Sequence, residues 1–272
     1  MTQLALLGTP VTGAVSPALH RAAYAALGLP WRYRAIDCPP SRLGEYLAAG
    51  RAGAWAGFSL TMPLKRLAVP MLDQVSSLAR QTGTVNTVVA RAGWLVGENT
   101  DVHGMTAALR ALDAPVPPMV TILGGGATAC TALAAVRSLG ATEATAVLRD
   151  TGRAAPLAQA AERIGIELRV RPWAEAAQHL AAGLVISTVP PGAADSLAGQ
   201  WRPGHGLLLD VCYRPGPTPL ARSAREAGRL IAEGAAMLVQ QAAQQVVLQT
   251  GCPQAPMRAL WAAAEAAASI YD

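Results

Sequence analysis

Lysine is almost missing from this chain of 272 residues: Lys65 is the only one, and every other basic position is arginine. Asparagine is nearly as scarce, with Asn86 and Asn99 alone. No apolar run reaches the roughly 18 to 20 uncharged residues that a membrane-spanning helix needs. The N-terminus has neither the basic start nor the apolar stretch of a secretory signal, so the expectation is a cytoplasmic protein with no membrane partner. Metal-ligand spacing is absent as well. Cys38, Cys130, Cys212 and Cys252 lie far apart with no C-x-x-C pair, and His20, His103, His179 and His205 form no pairs at ligand spacing, which predicts reduced thiols and no metal. Charged residues make up 14% against 52% hydrophobic, so a disordered chain is excluded and a sizeable core expected. A net charge of +5 admits nucleic acid, but the arginines are scattered rather than gathered on one run. A small anionic substrate accounts for the balance without nucleic acid.

A chain that uses arginine everywhere else and keeps one lysine points to a task the guanidinium cannot perform. Only the amine can give up its proton near neutral pH when its surroundings depress its pKa. Lys65 closes the stretch Ser59-Leu60-Thr61-Met62-Pro63-Leu64-Lys65, and Asn86, Asn99 and Asp101 follow within residues 65 to 101. A titratable amine, two amides and a carboxylate in one segment make an acid/base constellation. The plainer alternative is compositional drift that spared one surface lysine.

Taken in order, Leu4 to Leu7 reads as a first strand. Ser16 before Pro17 is an N-cap arrangement that starts a helix to about Leu27. Trp31 to Ile36 reads as a strand, Ser41 to Ala49 as a helix and Trp55 to Leu60 as a strand, with Lys65 opening the next helix. Met71 to Arg80 reads as helix and Asn86 to Ala90 as strand, and Gly93 and Gly97 mark a hairpin-like excursion. Thr100 to Leu112 is helical, and Asp101 at its start is also a favourable cap. Three prolines within Asp113-Ala114-Pro115-Val116-Pro117-Pro118 make a linker, so two domains are expected.

Beyond the linker, the apolar strand Met119 to Leu123 runs into Gly124-Gly125-Gly126-Ala127 and a helix to about Leu139. A glycine turn between strand and helix lets a dinucleotide pyrophosphate approach the backbone and the positive helix N-terminus; a tight turn of small residues reads the same way. Ala144 to Leu148, Glu167 to Arg171, Leu184 to Ser187, Leu207 to Val211 and Arg229 to Ala232 alternate with helical stretches, as in a doubly wound parallel sheet. The second strand of such a sheet ends beside the adenosine ribose. Here Arg149 and Arg153 suit a 2′-phosphate and hence NADP, whereas Asp150 suits the free hydroxyl of NAD. Two helices close the chain, about Ala235 to Gln249 and Pro256 to Ile270. Met237 and Gln241 share a face, and most of the other glutamines read as a solvated side.

Together these stretches resemble the shikimate dehydrogenase family over nearly the whole chain. The resemblance rests on Thr61-x-Pro63-x-Lys65, Val85-Asn86-Thr87, Asn99-Thr100-Asp101, the turn after Leu123, Asp210-x-x-Tyr213-x-Pro215-x-x-Thr218-Pro219-Leu220, and Gly234-x-x-Met237-Leu238-x-x-Gln241. It implies reversible hydride transfer between NADP(H) and C3 of shikimate or 3-dehydroshikimate. It also implies an α/β architecture: a substrate-binding domain over residues 1–101, a Rossmann doubly wound domain over 102–236, and C-terminal helices over 237–272 returning to the substrate domain, in a monomer or homodimer. By the same resemblance Lys65 is the acid/base group and Asp101 its partner. Asn86 and Thr61 bind ring hydroxyls, Ser16 and Tyr213 sit near the carboxylate, and Gln241 reaches the substrate. Gly124, Gly125, Gly126, Ala127, Arg149, Arg153, Gly234 and Met237 serve the cofactor.

The chain also departs from the family. Gly13-Ala14-Val15-Ser16 stands where His-Ser-x-Ser is usual, so one carboxylate-binding hydroxyl is missing. Ser59 and Leu60 replace an asparagine and a valine, and Leu148 and Asp150 replace the residues flanking the cofactor-reading arginine. A relative acting on quinate or an amino-substituted shikimate, and a nucleotide-binding regulator without catalysis, are the alternatives; the pairing of Lys65 with Asp101 speaks against the regulator.

Overall fold

A computed structural model describes residues 1–214 and 216–268 of the chain. Two compact units form among the described residues: Met1–Thr100 together with 241–268, and Asp101–Gln240.

The first unit begins with β1 (Gln3–Gly8), α1 (Ser16–Ala26), β2 (Arg32–Asp37), α2 (Leu43–Arg51), β3 (Gly57–Leu60) and α3 (Leu64–Leu67). It continues with β4 (Gln74–Val75), α4 (Ser77–Thr82), β5 (Thr87–Arg91) and β6 (Trp94–Glu98). Their sheet runs β2-β1-β3-β5-β6-β4 and is mixed, with β1 parallel to β2 and β3, and β5 antiparallel to both its neighbours. The β5–β6 hairpin closes on Ala92 and Gly93, whose φ values of 51° and 81° match the twist of the flanking strands. The core beneath the sheet gathers Leu7, Leu43, Leu47, Phe58, Leu64, Val88 and Leu95.

The second unit opens with α5 (Thr100–Arg110), followed by β7 (Met119–Leu123), α6 (Ala127–Ser138), β8 (Glu143–Leu148), α7 (Ala155–Ile164), β9 (Glu167–Pro172) and α8 (Ala176–His179). Then come β10 (Leu184–Ser187), β11 (Leu207–Asp210), α9 (Pro219–Glu226) and β12 (Leu230–Glu233). The sheet order is β12-β11-β10-β7-β8-β9, with every pairing parallel. Strands covered on both faces have no polar side to show, which is why β7, β10 and β11 read as unbroken apolar runs. The order reverses between β7 and β10, so the carboxyl end of β7 lies at the switch point where ligands of such sheets bind.

Helix α10 (Gly234–Thr250) leads back to the first unit, where α11 (Met257–Ala268) packs on α1. The last residues of the helix predicted to Ile270 lie outside the described residues, as does Pro215.

Two local expectations fail. The helix predicted over 71–80 is instead a 3₁₀ turn (Val69–Met71), strand β4, and helix α4 capped by Ser76, whose Oγ accepts from Ala79 N–H at 3.2 Å. The Asp73 carboxylate accepts from Leu95 N–H at 2.8 Å and pairs with Arg51, fastening this segment to the edge of β6. A side chain tied to a sheet edge overrides helical periodicity. Ser16 is not an N-cap: Val15 occupies that place, with no side-chain cap, and Ser16 is already helical. Among the described residues no helix is long and apolar enough to cross a membrane.

Candidate active site

The Lys65 turn is positioned by backbone. Thr61 N–H donates to Leu7 O at 2.9 Å, Leu64 N–H to Thr61 O at 2.8 Å, and Thr9 N–H to Met62 O at 3.0 Å. These bonds bind the ends of β1 and β3 into one corner. Gly8 permits the crossing, because a Cβ there would fall 2.8 Å from Met62 O and collide with Thr61. Lys65 itself is half-buried on the single-turn α3, and its carbonyl accepts from Val85 N–H at 2.8 Å. That bond places the lysine turn beside the Val85-Asn86-Thr87 stretch.

Asn86 is 2% exposed and belongs to a dense polar cluster. Its Oδ1 accepts from Thr100 N–H at 2.8 Å and from Thr87 Oγ1 at 2.8 Å. Its Nδ2 donates to Thr100 Oγ1 at 2.9 Å and to Gln241 Oε1 at 3.3 Å. Buried amides are tolerated only when so partnered. Asn99 stands apart, its Nδ2 donating to Thr82 and Thr84 hydroxyls. The buried Asp101 follows directly on Thr100, in the first turn of α5. Ser16 is buried at the start of α1, where its carbonyl bonds His20 Nδ1 at 2.9 Å. The first unit thus brings together Thr61, Lys65, Asn86 and Gln241.

Sequence reasoning missed Gln245. Reading the other glutamines as a solvated side fails for Gln245, which is 2% exposed; Gln241 and Gln249 are buried with it, at 6% and 3%. They recur every four residues on the inner face of α10, and that spacing was the available signal. Gln245 Nε2 donates to Thr87 Oγ1 at 3.0 Å and to Asn86 O at 3.2 Å, and its Oε1 accepts from Ser59 Oγ at 2.9 Å. Gln249, one turn further, has neither amide atom hydrogen-bonded among the described residues. Burial lowers the pKa of His20 to about 4, against the opposing pull of the Ser16 carbonyl and the Gln245 amide, so its ring is neutral near pH 7.

The remaining predicted residues lie in the second unit. Gly124 has φ +107°, and a Cβ there would stand 2.7 Å from Thr188 Oγ1; at Gly125 it would stand 2.7 Å from Leu148 Cδ2. Gly126 meets nothing within 4 Å, and it caps α6 without a side-chain bond, leaving Ala127 at the head of an uncapped twelve-residue helix. A helix N-terminus without a side-chain cap, next to a glycine with open space around it, fits a phosphate. Arg149, Asp150 and Arg153 are exposed beyond β8. The Asp150 carboxylate turns back to accept from Gly152 N–H at 3.0 Å as the cap of a 3₁₀ turn.

Asp210 holds the loop that carries Tyr213. It accepts from Thr218 Oγ1 at 2.6 Å and from Cys212 N–H at 3.2 Å, while Thr218 caps α9. Burial raises the Tyr213 pKa against the opposing pull of Arg214, so the phenol stays a donor. Gly234 lets the start of α10 cross β11, since a Cβ there would meet Val211 O at 2.6 Å. Met237 is buried. Among the described residues no group of three His, Cys, Asp or Glu is placed to hold a metal ion.

A parallel sheet whose glycine turn feeds an uncapped helix, in a chain whose other unit sets a lone lysine by buried amides and hydroxyls, defines a nucleotide-dependent dehydrogenase of the α/β class. Residues 6–88 match the shikimate dehydrogenase substrate binding domain. The shikimate dehydrogenase (NADP(+)) of Symbiobacterium thermophilum is 36% identical over 88% of this chain and 86% of its own length. The crystal structure of the Thermus thermophilus enzyme in complex with NADP(H) and shikimate is 34% identical, with a TM-score of 0.85 over 98% of this chain and 100% of that one. The quinate dehydrogenase of Corynebacterium glutamicum in complex with NAD is 27% identical, with a TM-score of 0.87 over 97% of this chain and 99% of that one. The chain belongs to the shikimate dehydrogenase family.

Proposed function

We propose that the protein catalyses the reversible NADP-dependent reduction of 3-dehydroshikimate to shikimate. The observation that carries this reading is the buried cluster of Asn86, Thr100 and Gln241 fastened to the Lys65 turn, a donor-and-acceptor surface suited to a polyhydroxylated ring. Lys65 is the acid/base group: as shikimate is oxidised it takes the proton of the C3 hydroxyl, and in the reverse direction it returns that proton to the oxygen. Asp101 is its carboxylate partner. Thr61, Asn86 and Gln241 hold the ring hydroxyls, and Ser16 and Tyr213 hold the carboxylate. Residues 1–101 and the C-terminal helices serve the substrate.

The cofactor, when bound, supplies or accepts the hydride. Gly124, Gly125, Gly126 and Ala127 would cradle its pyrophosphate, with Gly234 and Met237 contributing from the start of α10. Arg149 and Arg153 would hold its 2′-phosphate. Asp150 already serves as a local cap, which disfavours its use on a free ribose hydroxyl and supports NADP over NAD. The four free cysteines suit a reducing, cytoplasmic setting, and the chain works as a monomer or homodimer.

A second reading, quinate as substrate, is favoured by Ala14, which removes a hydroxyl where the family usually offers one to the carboxylate. Absorbance at the nicotinamide band, with NADP and NAD against shikimate and quinate, separates the two. The highest kcat/KM is expected for NADP with shikimate, and a preference for quinate would overturn that assignment.

A further inference from the structure

A chain of hydrogen bonds runs in one direction through the core of the first unit. Tyr33 Oη donates to Ser59 Oγ at 2.6 Å, and Ser59 Oγ donates to Gln245 Oε1 at 2.9 Å. Gln245 Nε2 donates to Thr87 Oγ1 at 3.0 Å, and Thr87 Oγ1 donates to Asn86 Oδ1 at 2.8 Å. A hydroxyl carries a single hydrogen. Once Tyr33 has donated to Ser59, the Ser59 hydrogen goes onward to an acceptor, so Gln245 must turn its carbonyl toward Ser59 and its amino group toward Thr87. The Thr87 hydroxyl, having accepted, points its own hydrogen at Asn86 Oδ1, where Thr100 N–H arrives as a second donor at 2.8 Å. With two donors on Oδ1, the NH2 edge of Asn86 lies on the side of Gln241 Oε1.

Neither ring at the head of this chain changes charge near neutrality. Burial raises the Tyr33 pKa above its ordinary value, and His20, stacked on Tyr33 with centroids 4.0 Å apart, has its pKa lowered to about 4 by burial. The direction of donation is therefore the same across the working pH range.

We infer that Tyr33, Ser59 and Gln245 are positioning residues that hold the Asn86 amide with its carbonyl toward Thr87 and Thr100 and its NH2 group toward Gln241, the orientation in which it meets the substrate. The inference rests on the proposed role of Asn86 in substrate binding. It also accounts for a departure from the family: Ser59, in place of asparagine, leaves a short hydroxyl that Gln245 reaches from α10. An amide can turn end for end about its last torsion.

Because the chain has only two asparagines, labelling with ¹⁵N-asparagine gives two side-chain NH2 pairs, assigned by Asn86→Ala, with Asn99 as internal control. In Gln245→Met the Asn86 pair should shift and exchange with solvent about tenfold or more faster, while the Asn99 pair stays in place. The KM for shikimate should rise about fivefold to fiftyfold, the scale of a lost buried hydrogen bond, with the KM for NADP unchanged. In the Asn86→Ala background, Gln245→Met should change the shikimate KM no further, which a general loosening of the fold would not reproduce. Ser59→Ala breaks the same chain one bond earlier and replaces Gln245→Met if that variant does not fold. An unmoved Asn86 pair, or an equal KM effect in both backgrounds, overturns the inference. A wild-type protein inactive on shikimate overturns the proposed function instead, and the two amide pairs still decide the positioning.

Discussion

The two units build their candidate binding surfaces by opposite means. The second does it by omission: Gly124 and Gly125 stand where a Cβ would strike Thr188 and Leu148, and Gly126 leaves the head of α6 open. The first does it by addition, sinking Tyr33, Ser59, Asn86, Thr87, Thr100, Gln241 and Gln245 into its interior and satisfying them against one another. Backbone N–H groups suffice for a phosphate, whose charge is the same from every side. A ring bearing several hydroxyls needs donors and acceptors in a set order, which only side chains supply. The first unit is accordingly more exposed to single substitutions and to acid.

The largest effect is expected at Lys65. Lys65→Arg keeps the positive charge and loses the exchangeable proton, and kcat should fall by about 10² to 10⁴ while NADP still binds. Turnover near that of the wild type would remove Lys65 from the chemistry.

Acid should unsettle the first unit through His20. Its folded-state pKa of about 4 lies below the unfolded value of 6.5, so below pH 6.5 the unfolded chain takes up a proton that the folded chain refuses. The stability due to the neutral ring is complete above pH 6.5 and is lost as pH falls toward 4, by up to about 3 kcal/mol. His20→Phe keeps a ring against Tyr33, and its Tm should decline less steeply than that of the wild type over this range. Parallel curves would show that His20 does not titrate in this way.

Within the glycine turn the expected contrast is sharper than its size. Gly125→Ala drives a methyl against Leu148 and should cost about 1 to 3 kcal/mol of stability. Gly126→Ala meets nothing and should leave Tm unchanged while raising the KM for NADP. Equal thermal effects at both positions would mean that packing, not ligand approach, explains the third glycine. The smallest effect is expected at Arg149. Arg149→Ala removes one charge-assisted contact and should erode the preference for NADP over NAD by about tenfold to a hundredfold, chiefly through KM; a ratio of kcat/KM values equal to wild type would clear Arg149 of the role.

How much was legible depended on whether the signal was local. The six parallel strands fall within a residue or two of the expected bounds: β7, β8, β10 and β11 are apolar runs buried on both faces, and the edge strands β9 and β12, largely exposed, are marked off by the helices on either side of them. The glycine turn, the lone Lys65 and the two asparagines Asn86 and Asn99 stand out for the same reason: each departs in composition from the rest of the chain. The segment 71–80 misled because its periodicity is helical while Asp73 is claimed by Arg51 and by Leu95 on another strand. Asp150 was ambiguous until its carboxylate was found spent on Gly152.

The amino-acid sequence by itself determined the two-part α/β plan, the order of strands and helices, the glycine turn and the candidate acid/base residue, because periodicity, glycine and proline act within a few residues of themselves. Tertiary structure alone decided which glutamines are solvated and which are buried, that Ser59 meets Gln245 across 186 residues of chain, and which way the Asn86 amide is turned. A buried hydrogen bond has no sequence signature of its own. Its partners are chosen by the packing that removes water from both, and that packing exists only once β3, β5 and α10 have come together.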